Sequence, residues 1–393
     1  MKRSEVRRKR IWTALVTGAL VIGGLLTGCG TEQKAKQETV ENKTKDQKIS
    51  VVTTIFPQYD FVRQIAGDSV DLKMLLKPGE ETHSYEPTPQ DIIAIQNSDL
   101  FIYVGGENDS WVEDILESMR DNGRKTLKLA DCVDTVEEEH VEGMKEERGH
   151  DHEEHDHEEH GHDSESDTHL DQDSDAEEEH LLQEQEVQET HSDADSEAQT
   201  DGEHGNDSSE TVSVHEIDEH VWTSLRNASV VCVAIAATLE EMDPENKDTY
   251  QANARNYEAK LSSLDKEYQK TVDSAKQNTL IFADRFPFRY LVDDYGLNYY
   301  AAFSGCSAES EASFKTVTFL AEKVDELGVN SVLTIEKSDD RIAQTVIENT
   351  KTKNQSIHEL NSMQSVTSEE IKNGVTYLSV MEDNLKVLQE VLN

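Results

Sequence analysis

Cysteine is scarce: Cys29, Cys132, Cys232 and Cys306 are the 4 in 393 residues, and no two are closely spaced. That excludes a structural zinc site built on C-x-x-C pairs, and a chain of this size needs no disulfide framework. Basic residues are few, 37 Lys and Arg against 82 Asp and Glu, for a formal net charge of −45. Nothing makes a basic patch, so nucleic acid is not an expected partner. Long apolar runs are missing apart from residues 11–26, which are too short and too abruptly ended for a membrane span. There is no H-E-x-x-H, no Ser/His/Asp arrangement and no nucleophilic-cysteine setting, so an enzyme is not expected.

The apolar run follows Lys2, Arg3, Arg7, Arg8, Lys9 and Arg10 and closes on Leu26-Thr27-Gly28-Cys29. A basic flank, a short apolar core and small residues make a secretory signal. Its L-x-G-C ending is a lipobox, in which Cys29 is acylated and becomes the new N-terminus. Residues 1–28 are thus expected to be removed, and 29–48 to form a polar tether to the outer face of a membrane.

The charge is unevenly spread. Residues 137–210 hold 31 acidic residues against two basic ones and 11 of the 15 histidines, among them His150, His152, His155, His157, His160 and His162. A segment with so little apolar surface is expected to stay disordered over 137–213. Its imidazoles and carboxylates offer many weak, interchangeable sites for zinc, copper or nickel. About 290 residues remain outside the signal and the acidic stretch, enough for two domains with real cores.

Those residues alternate strand and helix. Strands are expected at 49–55, 70–76, 100–104 and 126–129, with helices at 57–67, 90–97 and 111–119 between them. A helix over 224–239 completes an N-terminal α/β lobe, 49–242. Asp243-Pro244 then opens an uninterrupted stretch, 243–278, read as one linking helix of about 33 residues and on the order of 50 Å. Strands at 279–283, 298–303, 331–335 and 356–360, with helices at 287–295, 313–327, 340–349 and 377–392, build a C-terminal lobe, 279–393. The fold class is α/β: two parallel-sheet lobes joined by one long helix, with the His/acid-rich insertion in the first lobe.

Candidate site residues sit where strands finish, the place where open α/β sheets bind ligands. His83 lies in KPGEETHSYEPTPQD, between Pro78-Gly79 and Pro87-Thr88-Pro89, and Thr88 is a natural N-cap for the helix that follows. His220 stands in DEHVW, just before the 224–239 helix. Asp284-Arg285, Cys306 and Glu336 follow strands of the second lobe. Zinc takes four ligands of imidazole nitrogen, carboxylate oxygen or thiolate sulfur. His83 and His220 from one lobe with Glu336 and Asp284 from the other meet that count, and lobe movement could then release the ion.

HSYEPTPQD, DEHVW, the long helix and the terminal β/α unit resemble the metal receptors of bacterial zinc and manganese ABC transporters, the helical-backbone branch of solute-binding lipoproteins. The likeness covers about 50–136 and 211–393. It implies two α/β lobes flanking a rigid helix, with ligands from the histidines of H-x-x-E-P (His83) and H-x-W (His220), and from an acid after a late strand (Glu336). The third position departs. Where zinc members carry a histidine this chain has Arg285, in ADRFPFRYLVDDYGL, and a cation does not ligate zinc. Asp284 is the best substitute and Cys306 the next; three ligands completed by water are the alternative. A carboxylate there would favour harder ions, whereas the histidines favour zinc. The resemblance implies a monomeric, lipid-anchored receptor that passes zinc to an ABC permease and its ATPase. The alternatives are a manganese receptor, or a surface adhesin or metal buffer.

Overall fold

The computed structural model describes residues 48–80, 85–107, 109–120, 122–144, 217–307 and 311–393. The signal with Cys29, the tether up to residue 47, His83 and the histidine tract from His150 to His162 lie outside these residues.

The chain opens with β1 (Ile49–Thr53), α1 (Phe56–Ala66), β2 (Val70–Met74), α2 (Pro89–Asn97), β3 (Leu100–Tyr103), α3 (Ser110–Ser118) and β4 (Lys125–Lys128). The strands are all parallel, in the order β2-β1-β3-β4. The central strands β1 and β3 are buried almost throughout, as strands covered on both faces must be. Thr88 caps α2 as expected: its hydroxyl accepts from the Asp91 amide at 3.3 Å, and Asp91 returns a carboxylate to the Thr88 amide at 3.1 Å.

After β4 the chain crosses to the second half of the molecule. Glu137 pairs with Ile217 in a single antiparallel bridge, and the Asp218 amide donates to the Val136 carbonyl at 2.9 Å. The two ends of the acidic insertion are therefore held side by side. The helix α4 (Leu225–Met242) follows, with Ser224 accepting from the Asn227 amide at 2.9 Å as its cap.

The linking helix, α5 (Lys247–Asp273), is single and unbroken but has 27 residues, about 40 Å, and so is shorter than expected at both ends. Asp243 ends α4 instead of opening α5. Its carboxylate accepts from the Tyr250 hydroxyl at 2.8 Å and the Asn246 side chain at 2.6 Å, which stitches the turn between the helices. At the far end the Lys276 amide turns away to donate to the Leu392 carbonyl. Tyr250, Ala254, Tyr257, Leu261, Leu264 and Tyr268 recur at steps of four and three, so one stripe of α5 is buried along its length.

The second half repeats the plan: β5 (Thr279–Phe286), α6 (Arg289–Tyr295), β6 (Asn298–Ser304), α7 (Phe314–Leu327), β7 (Ser331–Ile335), α8 (Arg341–Asn349), β8 (Ser356–Leu360), then α9 (Ser368–Lys372) and α10 (Tyr377–Val391). Its sheet is parallel, in the order β6-β5-β7-β8. β5 runs three residues past its expected end because its pairing with β6 breaks register between Phe282 and Arg285 and then resumes. The short α9 is an addition to the expected elements.

The fold class is the expected one, two parallel α/β lobes, but α5 is not their only tie. One buried cluster runs from Val51 and Phe61 through Ile235 of α4 and Leu261 of α5 to Leu333, with Tyr377 of α10 packed edge-on against Phe61 at 4.8 Å. The Tyr377 amide also donates to Asp60 of α1 at 2.8 Å. The outer sheet faces have smaller cores of their own, one under α2 and α3 and one under α7 and α8. Among the described residues no helix is long and apolar enough to cross a membrane.

Candidate metal centre

In both parallel sheets the strand order reverses at the centre, between β1 and β3 in the first and between β5 and β7 in the second. The crevice outside the carboxyl ends of such strands is where a ligand meets loop side chains rather than packed sheet. In the first sheet it is walled by Thr54 and Ile55 after β1, Val104 after β3, and the rings of Tyr85, Trp111 and Trp222, with His220 at its edge.

His220 arrives on a single helical turn, Val221–Thr223, and is 1% exposed. Asp218, equally buried, accepts from both the His220 amide at 2.8 Å and the ring Nδ1 at 3.0 Å. Asp218 is itself fixed, since its carbonyl accepts from the Tyr290 hydroxyl at 2.7 Å. A carboxylate behind one ring nitrogen favours the tautomer with the proton there and leaves the other, Nε2, as the acceptor. Trp222 packs edge-on to the imidazole at 5.3 Å and donates its indole N–H to the Ser362 carbonyl at 2.8 Å, tying this turn to the loop after β8. Gly305, after β6, backs the ring. A Cβ there would stand 2.9 Å from the Phe286 carbonyl and 3.0 Å from the imidazole, so a side chain would push His220 out of place. Burial disfavours the charged imidazole, yet Asp218, Glu219 and Glu138 outweigh it and hold the pKa above its usual value.

Glu336 directly follows β7. It turns its carboxylate inward onto the loop after β8, where it accepts from the Ser362 amide at 2.7 Å, the Ser362 hydroxyl at 2.9 Å and the Gln364 amide at 2.9 Å. Met363 between them is left-handed, with φ 65°, which aims the flanking N–H groups at one anion. Burial pushes the Glu336 pKa up in spite of these hydrogen bonds. Gln364 joins the two candidate ligands: its backbone holds Glu336, and its side-chain Nε2 lies 2.7 Å from His220 Nε2.

Imidazole nitrogen and carboxylate oxygen, each oriented by a second partner, suit zinc in kind. Among the described residues no three His, Cys, Asp or Glu stand at metal-holding spacing. His83 falls outside them, though its flanks are held. The Gly79 amide donates to the Val366 carbonyl at 2.9 Å and its carbonyl accepts from Lys337 at 3.1 Å, while Tyr85 packs against Trp111 at 5.7 Å inside the crevice. Asp284 sits in the register break of β5, where its carboxylate accepts from the Arg285 amide at 2.8 Å. Cys306 is half-buried, and its amide donates to Glu138 at 3.2 Å. Burial first, then the charges of Glu219, Glu138, Asp218 and Glu107, push its thiol pKa far up, which disfavours the thiolate a metal would need.

Asp218, Ser362, Gly305 and Gln364 are parts of the site that the sequence does not announce. Asp218 has a signal, an acid two residues before a histidine in DEHVW. The other three have none, being ordinary loop residues that folding alone brings to His220 and Glu336.

Residues 51–391 match the family described as zinc-uptake complex component A, periplasmic. The chain is 30% identical to the zinc-binding lipoprotein AdcA of Streptococcus pneumoniae over 348 residues, 88% of this chain but 56% of that protein, so it spans little more than half the relative's length. It is 29% identical to the high-affinity zinc uptake system protein ZnuA of Bacillus subtilis over 349 residues, 89% of each. It superposes with a TM-score of 0.60 and 26% identity on the crystal structure of the Zn(II)-bound ZnuA-like domain of Streptococcus pneumoniae AdcA, covering 88% of this chain and 99% of that one. The resemblance first seen in HSYEPTPQD and DEHVW thus extends over both lobes, and the chain belongs to the ZnuA family of zinc-uptake components.

Proposed function

We propose that this chain is an extracytoplasmic receptor, anchored by lipid at Cys29, that captures zinc between the strand ends of its two lobes and delivers it to an ABC permease and ATPase. The observation that carries the reading is that His220, oriented by Asp218, and Glu336, nested on the loop after β8, are linked through the one residue Gln364. The metal is cargo, so its ligands should come from separate elements that can part again. His83 from the 77–88 turn, His220 from the turn before α4 and Glu336 from the end of β7 meet that need, with 49–242 and 279–393 as the lobes and 243–278 joining them. Zinc-bound relatives of this fold support the choice of ion.

The third position, where zinc members carry a histidine, is assigned to Asp284 ahead of Cys306, whose thiol burial and acidic neighbours keep protonated. Asp284 would exchange its contact with the Arg285 amide for the ion. The tract from His150 to His162 gathers metal weakly, as part of an insertion whose ends are closed by the Glu137–Ile217 bridge. No part of this reading asks for a bond to be made or broken, and the protein acts as a binding component.

Calorimetric titration of zinc and of manganese into the chain lacking the histidine tract tests it. One tight zinc equivalent with weak manganese is expected. Tight manganese would reassign the cargo, and no tight site would leave the insertion as the functional element, as in a metal buffer.

A further inference from the structure

Gln364 is 2% exposed and touches both candidate ligands at once. Its backbone N–H donates to Glu336 at 2.9 Å, its side-chain carbonyl lies 3.1 Å from the Ser362 hydroxyl, and its amide nitrogen faces His220 Nε2 at 2.7 Å. The tautomer with the proton on Nδ1 satisfies both ring contacts, Asp218 accepting on one side and the Gln364 amide donating on the other. The lone pair of Nε2 that a metal would use is the one this amide occupies. A zinc–nitrogen bond of about 2.0–2.1 Å would lie along the same direction, and an amide NH2 is no ligand for a cation.

We propose that Gln364 is an internal stand-in for the metal: its side chain closes the metal-free site by bonding His220 Nε2, and must swing away for the ion to bind. This rests on the receptor reading above. The arrangement has a physical reason. A buried imidazole whose acceptor nitrogen is left without a donor is costly, and the glutamine removes that cost while the cargo is absent. The same contact must be given up on loading, so it lowers the apparent affinity and helps the site release its ion. The backbone N–H of Gln364 stays on Glu336 throughout, so only the side chain moves. Gln364 is a positioning residue here, acting through His220 rather than on the metal.

The test is zinc calorimetry and thermal unfolding of the metal-free chain for Gln364→Leu and Gln364→Asn. Leucine keeps the volume without the donor; asparagine keeps an amide one methylene too short to reach Nε2. Each variant should melt lower without metal yet bind zinc about three- to tenfold more tightly, the factor that one net hydrogen bond is worth. A residue that merely supports the fold would lose stability and affinity together. Unchanged or weaker zinc binding in folded variants, with tight binding in the parent chain, would overturn the stand-in and leave the receptor reading intact. Absence of tight zinc binding in the parent chain would overturn both.

Discussion

The two sheets share one strand order but end differently. In the first, β1 and β3 pair over three successive positions, and the crevice beyond them is walled by Ile55, Val104, Trp111 and Trp222. In the second, β5 and β7 share only the Phe282–Leu333 pair, β5 breaks register just beyond it, and Glu336 emerges at the gap onto a nest of N–H groups. One end supplies an apolar wall and the other an oriented charge. The histidine comes from neither set of strands: it stands on the 217–223 turn, after the chain has crossed between them. The repeated strand order therefore did not repeat the chemistry, which lies in the loops.

The sharpest way to break this contrast is His220→Ala. It should abolish the tight zinc site, a loss well above the tenfold to hundredfold typical of removing a partner behind a ligand, read by calorimetry. Asp218→Asn tests that partner. Zinc affinity should fall about ten- to a hundredfold while the fold is kept, as circular dichroism of the metal-free chain would show. Were Asp218 only structural, affinity per folded molecule would not change.

Proton competition should follow. The pKa of His220 is raised above its ordinary 6.5 and that of Glu336 above 4.5, and zinc binds only their deprotonated forms. Zinc affinity should rise with pH and level off above the raised histidine value, with proton release seen as a buffer-dependent binding enthalpy. The metal-free chain should show the opposite trend. A group bound to its proton more tightly when folded stabilises below its unfolded pKa, and that stabilisation is lost as pH rises through the folded value. For His220 the loss begins near 6.5, so added zinc should raise the melting temperature most on the alkaline side.

Smaller effects concern the edges of the site. Replacing residues 145–213 by a short Gly-Ser linker should lower metal stoichiometry to one tight equivalent. Melting should stay the same or rise slightly, because Glu137 and Ile217 already meet and a shorter loop costs less to close. Asp284→Ala should weaken zinc measurably, whereas Cys306→Ser should leave it unchanged; the reverse order would put sulfur on the metal.

Much of this is legible in the chain because local rules and tertiary needs agree. Pro57, Thr88, Ser224, Ser313 and Gly328 mark helix ends in the sequence and do so in the structure. His220 and Glu336 stand out as polar groups at strand or helix edges. The linking helix is shorter than its pattern suggests, since nothing in 243–277 breaks a helical period. What ends it is a side-chain stitch at one end, Tyr250 and Asn246 on Asp243, and a distant contact at the other, Lys276 on Leu392.

By itself the sequence determined the periodicity of strands and helices, the two lobes, the uneven charge and the histidine-bearing loops, since each depends on residues close in the chain. Only the tertiary structure decided that α10 returns to α1, that Gly305 makes room behind the imidazole, and that Gln364 spans His220 and Glu336. Those pairings join positions as much as 317 residues apart, where no local pattern carries information and only the packing of a shared core fixes which loops meet.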